Sequence, residues 1–161
     1  MGFDVSGINP ITDRPEPQPQ DFSKKKGVNE ENYWKTLTEK QRGKYLQARW
    51  DWQKDNQGTY FRNNVWYWRP LWTLVGDLCD DVLTESQWKS GNYNDGVEIR
   101  DDQAVAIADI LDEALSTGAI DEYEAQWNKE QENERCKYPF EKDNVETFSK
   151  FCRLSGGFQI W

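Results

Sequence analysis

Arg62, Asn63, Asn64, Trp66, Trp68 and Arg69 crowd into the stretch YFRNNVWYWRPLW, and Asn92, Asn94 and Asp95 follow in SGNYNDG. Asparagine offers both donors and acceptors, and arginine a planar fork of donors. Indole faces stack on flat or apolar ligand surfaces. Gathered around a pocket, these residues would hold a small polar ligand, such as a nucleotide, a sugar or a carboxylate, against an aromatic wall. The same residues have a purely structural use. Paired asparagines cap turns and helix starts. An arginine stacked between tryptophans can satisfy backbone carbonyls or a buried carboxylate with no ligand present. The two groups lie about 25 residues apart, and their spacing does not decide whether they meet.

Other chemistry is limited by what the chain lacks. It contains no histidine, which removes the commonest general base near neutral pH and the commonest transition-metal ligand. Nucleophile arrangements that need a histidine base are therefore excluded. An enzyme would have to rely on groups such as Asp95 or Tyr93 for acid-base work. Asn92, Asn94 and Gly96 only faintly echo a calcium loop, and Asp109, Asp112 and Glu113 are not spaced like one. SGG at Ser155–Gly157 precedes a strand rather than a helix, the wrong order for a phosphate cradle. No metal and no cofactor are expected. Cys79, Cys136 and Cys152 are widely spaced and show no paired motif, which fits a reduced compartment.

Charge is unevenly placed. Between Asp101 and Glu134 there are eleven carboxylates and one lysine, in a chain whose net charge is −9. Such a surface disfavours nucleic acid, which needs cations to displace phosphate counterions. It can be a solvated face, or it can imitate the phosphate path of nucleic acid and occupy a basic host protein. The lysine triplet Lys24–Lys26 is too short for a nucleic-acid patch. No run of about 18 apolar residues is present for a membrane span, and the start MGFDVSGINP lacks the pattern of a secretory signal. A cytoplasmic protein is expected.

The elements that must position these groups read as follows. FDVSGI is a strand with Phe3 and Val5 on one side, ended by Asn9-Pro10. Residues 11–29 form a Pro-rich polar surface segment, extended and polyproline-like. Thr38 and Gln41 make a capping box for a helix to about Asp55, with Tyr45, Leu46, Trp50 and Trp52 as its apolar side. Tyr60 to Arg69 reads as extended or irregular, because a residue before proline avoids the helical region. A core helix then starts at Pro70, with Leu71, Trp72, Val75, Leu78, Cys79 and Val82 at helical spacing. That spacing also runs back through Trp68 and Val65, which leaves a proline-kinked helix open. Thr84 and Gln87 cap a short helix ended at Gly91, and NYNDG is a turn. A helix from about Asp101 to Ser116 stops at Gly118. Another opens at Asp121, and a last one, capped by Asp143 with Glu146, buries Val145, Phe148, Phe151 and Cys152. FQI closes the chain as a strand, and its simplest partner is FDVSGI. The expected fold is α+β: one mostly helical domain, residues 1–161, on a small sheet made from the two ends. Nine tryptophans, seven tyrosines and seven phenylalanines supply its core.

MGFDVSGINP, YFRNNVWYWRPLW, SGNYNDG and SGGFQIW, in this order, resemble a group of small uncharacterised proteins encoded by bacteria and their viruses, cyanophage-like genomes among them. The resemblance covers the two ends and the middle, but not residues 11–57. It implies a bacterial or viral setting and no particular activity. The resulting expectation is a non-enzymatic accessory protein that binds a protein partner or a small polar ligand. Acidic mimicry of nucleic acid and a histidine-free enzyme are the alternatives.

Overall fold

The computed structural model describes residues 2–19, 22 and 27–161. In chain order the elements are β1 (Gly2–Gly7), α1 (Glu30–Thr36), α2 (Glu39–Asp55), β2 (Tyr60–Asn64), α3 (Val65–Leu78), α4 (Glu85–Ser90), β3 (Val97–Ile99), α5 (Asp101–Thr117), α6 (Ala119–Gln131), α7 (Lys142–Leu154) and β4 (Phe158–Ile160). The fold is α+β, mostly helical, with a small antiparallel sheet. The chain divides into two compact units, Met1–Ile11 with Gln57–Trp161, and Thr12–Asn56.

In the first unit the chain's two ends pair as expected. Val5 lies opposite Ile160, Ser6 opposite Gln159 and Gly7 opposite Phe158. Two further strands flank this pair, giving the order β2-β1-β4-β3. The termini therefore make only the centre of the sheet. Alternation sends Phe3, Val5, Phe61, Ile99, Phe158 and Ile160 inward, all buried. Asp4, Ser6 and Arg62 take the opposite face.

The main departure from the sequence expectation is α3, which starts at Val65 and carries Pro70 inside it. Asn64 makes that start possible, because its side chain accepts from Trp66 N at 3.0 Å and Tyr67 N at 3.2 Å. Proline in a helix interior costs about 3 kcal/mol. Burying a large apolar side chain returns roughly 1.5–3 kcal/mol. Only a continuous helix puts Trp68, Leu71, Trp72 and Val75 together into the core, all at 1 % exposure or less. Packing outweighs the local rule. Trp68 is central: it stacks on Phe3 and on Trp72, each at 5.2 Å, and meets Phe148 edge-on at 5.9 Å.

The other helices follow their signals closely. Thr84 and Gln87 form the capping box of α4, and Gly118, at φ 82°, ends α5. α6 begins directly after Gly118, so Asp121 sits in its first turn rather than opening it. Asp143 does not cap α7. Glu141 holds the cap position without a side-chain bond, and the Asp143 carbonyl accepts from Thr147 Oγ1 at 2.8 Å. Val145, Phe148, Phe151 and Cys152 are buried as expected.

The second unit contains α1, capped by Asn29, and α2, with the expected Thr38–Gln41 capping box. α1 follows the Pro-rich segment, where the sequence reading places no helix. Only Trp52 of the expected apolar side of α2 is buried. Leu46 and Trp50 are 51 % and 72 % exposed. Trp52 is drawn in because its indole donates to the Arg14 carbonyl at 2.8 Å. The proline-rich stretch is accordingly stapled to α2, by Asp13 N to Asn56 Oδ1 at 2.8 Å, Arg14 to Asp55 at 2.7 Å and Arg49 to Glu16 at 2.9 Å. Lys24–Lys26 lie outside the described residues.

Candidate functional site

Several residues singled out by type serve as braces. Asn64 caps α3, and Asn63 Nδ2 donates to Asn144 Oδ1 at 2.9 Å. Asn94 Nδ2 donates to the Gly2 carbonyl at 2.9 Å, tying the NYNDG turn to the first strand. Arg62 lies opposite Asp4 in the sheet, with Nε 3.5 Å from its carboxylate. Tyr60 donates to the same Asp4 carboxylate. Burial, followed by that hydrogen bond, pushes the Tyr60 phenol up to about 12. Trp66 is 44 % exposed and rests against Tyr138, at 5.0 Å between ring centres. Asp95 is exposed.

The two groups meet at one place. Trp68 Nε1 donates to the Gly91 carbonyl at 2.8 Å, and Trp72 Nε1 to the Trp88 carbonyl at 2.9 Å. Asn92 Nδ2 reaches the same Trp88 carbonyl at 3.1 Å. Gly91 is required for this approach: a Cβ there would stand 2.3 Å from the Trp72 ring. These bonds hold the end of α4 against the middle of α3. Between the two lies a cleft of about 570 Å³, lined by Arg69, Thr73, Trp88, Lys89, Asn92 and Tyr93. Arg69 and Asn92 thus share one site, while Arg62, Asn63, Asn64 and Asn94 are engaged elsewhere.

The electrostatics of the cleft are cationic. Among the described residues Arg69 has no salt bridge, and its guanidinium lies over the Tyr138 ring at 5.9 Å. Lys89 is paired with Glu85 one helical turn away, Nζ to Oε1 at 2.5 Å. That hydrogen bond holds the Glu85 carboxyl below its ordinary range. Both partners are largely exposed, so the pair is weak and open to competition. Trp88 forms the wall. Its indole nitrogen is withdrawn from solvent and is the one buried side-chain polar atom without a partner among the described residues. Such an orphan costs about 1–3 kcal/mol. Gly76 allows it to lie there, since a Cβ at Gly76 would stand 2.0 Å from that nitrogen.

Thr73, Trp88 and Lys89 are missed by inspection of the sequence, and Tyr93 enters it only as a candidate acid-base group. Helical spacing could find Thr73, four residues after Arg69 on α3; Tyr93 lies beyond the end of α4 and carries no such signal. The carboxylates of Asp101–Glu134 fall on α5, α6 and the segment beyond. Asp102 pairs with Arg100, Asp109 and Asp112 with Arg153, and Asp121 with Lys142. No group of three or more candidate metal ligands occurs among the described residues. No described helix is long and apolar enough to cross a membrane. Comparisons with protein-family models, with curated proteins and with solved structures find no match to this chain.

Proposed function

We propose that this protein is a non-enzymatic binding protein, and that the cleft between α3 and α4 takes a small ligand bearing an anionic group on a flat or apolar body. The observation that carries this is the convergence of Arg69 and Lys89 with Asn92, Tyr93 and Trp88 on the lining of one cleft. An arginine fork and an ammonium give charge-assisted bonds to a phosphate or carboxylate. The amide and phenol add orientation, and the indole offers a stacking surface. Among the described residues that line this cleft there is no carboxylate, although Glu85 pairs with Lys89, so its lining polar groups are chiefly donors suited to holding an anion. The bacterial or viral resemblance adds only a setting, the cytoplasm of a bacterial host.

Phenyl phosphate is the probe. Its titration should shift the indole resonance of Trp88 and the side-chain amide of Asn92 saturably, in low salt. Arg69→Ala and Lys89→Ala should each weaken binding about tenfold or more, the loss of one charge-assisted contact. Both side chains are exposed, so melting temperature should move by no more than a couple of degrees. Unsaturable shifts, or variants that bind as well as the parent, would sink the assignment.

A further inference from the structure

α2 carries a stripe of side chains that its own unit leaves uncovered. Glu39, Gly43, Leu46, Trp50 and Lys54 are all exposed and follow one another at steps of three or four residues. Such spacing sets them on one face of a helix, in the manner of a coiled-coil seam. The covered side of α2 lies elsewhere on the cylinder. Trp52 is buried and bonded to the Arg14 carbonyl, and Arg42 donates to the carbonyls of Trp34 and Lys35 in α1. On the stripe, Trp50 is the most exposed large hydrophobic side chain among the described residues.

Gly43 is a second, independent observation. It stands inside the helix, where glycine is the poorest choice after proline. Its backbone is not left-handed, and a Cβ there would meet nothing within 4 Å, so the fold does not require a glycine. The missing side chain leaves an open notch, and the indole of Trp50 projects two turns further along the same stripe. The charges match this pattern. The midpoint of Gly43 and Trp50 falls between Leu46 and Gln47, and the midpoint of Glu39 and Lys54 falls there too. A two-fold axis through that point runs a second α2 antiparallel to the first. It lays each Trp50 on the other copy's Gly43, sets the two Leu46 side chains together and brings each Glu39 to the other copy's Lys54. Parallel pairing would oppose like charges instead. Among the described residues the salt bridges of α2 run through Arg49 and Asp55, which leaves Glu39 and Lys54 unengaged.

We infer that α2 is a self-association surface, and that its partner is a second copy of this chain, held as an antiparallel two-fold dimer through Gly43, Leu46 and Trp50. α2 has 17 residues and is roughly 25 Å long. One such helix pair buries less than a standard interface, so the dimer is reversible, with a Kd on the order of 10 μM.

Sedimentation equilibrium of the full chain, from about 1 to 300 μM, should show a monomer–dimer equilibrium. Trp50→Ala should weaken it at least about tenfold, as loss of a central aromatic anchor does. Gly43→Glu fills the notch with a charged side chain and should do the same. Position 43 has open space around it, so this variant keeps the test sound should Trp50→Ala fail to fold. Glu39→Lys alone and Lys54→Glu alone should each weaken association about threefold at low salt, and the two together should restore it. Both exchanges oppose the helix dipole, so a merely local effect on the helix ends would add rather than cancel. A chain that stays monomeric across the range overturns the second copy as occupant and leaves the stripe to a different protein. A dimer indifferent to Trp50→Ala and Gly43→Glu overturns the surface, and a double charge exchange no better than the single ones overturns the antiparallel pairing.

Discussion

The indole N–H of Trp68, early in α3, donates to the carbonyl of Gly91, the residue that ends α4, at 2.8 Å. That bond joins the aromatic run of residues 60–72 to the asparagine turn and so builds the cleft. Trp68→Phe deletes the donor, strands a carbonyl in the core and leaves a void beside Phe3 and Trp72. It should cost about 2–4 kcal/mol in chemical denaturation. Trp88→Phe deletes a donor that has no acceptor, and should change stability by less than about 1 kcal/mol. Equal losses would show that the two indole N–H groups play the same role.

Asn64 is the residue whose reading changes most. As the cap of α3 its substitution acts on stability, away from the cleft. Asn64→Ala should lower stability by about 1 kcal/mol, and Asn64→Asp should restore most of it. Affinity for phenyl phosphate should be unchanged in both. A loss of affinity without a loss of stability would return Asn64 to the binding site.

Legibility in the sequence follows the range of the forces involved. The capping boxes at Thr38 and Thr84, the stop at Gly118 and the inner face of α7 are local and could be read directly. The pairing of the two ends was also accessible, because Phe3, Val5, Phe158 and Ile160 alternate cleanly. β2 was hidden at the start of the aromatic run because only Phe61 among its five residues is buried, and β3 is three residues long. The start of α3 was masked by the residue-before-proline rule, which core packing overrides. The candidate site was half legible: Arg69 and Asn92, singled out by type, line one cleft, but a capping asparagine and a cleft-lining one look identical until the partner atoms are known. Trp88 and Lys89 required the α3–α4 contact itself.

Tyr60 gives the fold an alkaline weakness. Its phenol is raised from an ordinary 10.0 to about 12, first by burial and then by its hydrogen bond to Asp4. The folded state therefore favours the neutral phenol more than the unfolded state does. Its contribution is complete below pH 10 and is lost as pH rises towards about 12. Tyr60→Phe should lower stability at pH 8 yet flatten the decline between pH 10 and 12, measured by thermal melts. A parallel decline in both proteins would exclude Tyr60 as its source.

Glu85 competes with any anion for Lys89, since the two are paired at 2.5 Å. Glu85→Gln should release the ammonium and tighten phenyl phosphate binding severalfold at low salt, with the gain fading as screening increases. The side chain is largely exposed, so the melting temperature should hardly move. Unchanged or weaker binding would mean that Lys89 does not face the anion.

Gly76 tests whether the cleft depends on the place of the Trp88 ring. A Cβ at residue 76 would fall 2.0 Å from Trp88 Nε1 and 2.6 Å from Cδ1, closer than any real contact. Gly76 is helical, so alanine should by itself favour the helix by roughly 1 kcal/mol. The clash acts in the other direction and must push the indole off α3, against the carbonyl bonds that Trp72 and Asn92 make to Trp88. Displacing the ring disturbs the aromatic wall of the cleft. Gly76→Ala should therefore abolish phenyl phosphate binding while the protein remains folded, with a stability loss smaller than that of Trp68→Phe. Crystals of the variant with the indole in its original place, or undiminished binding, would show that the ring is not the wall on which the ligand rests.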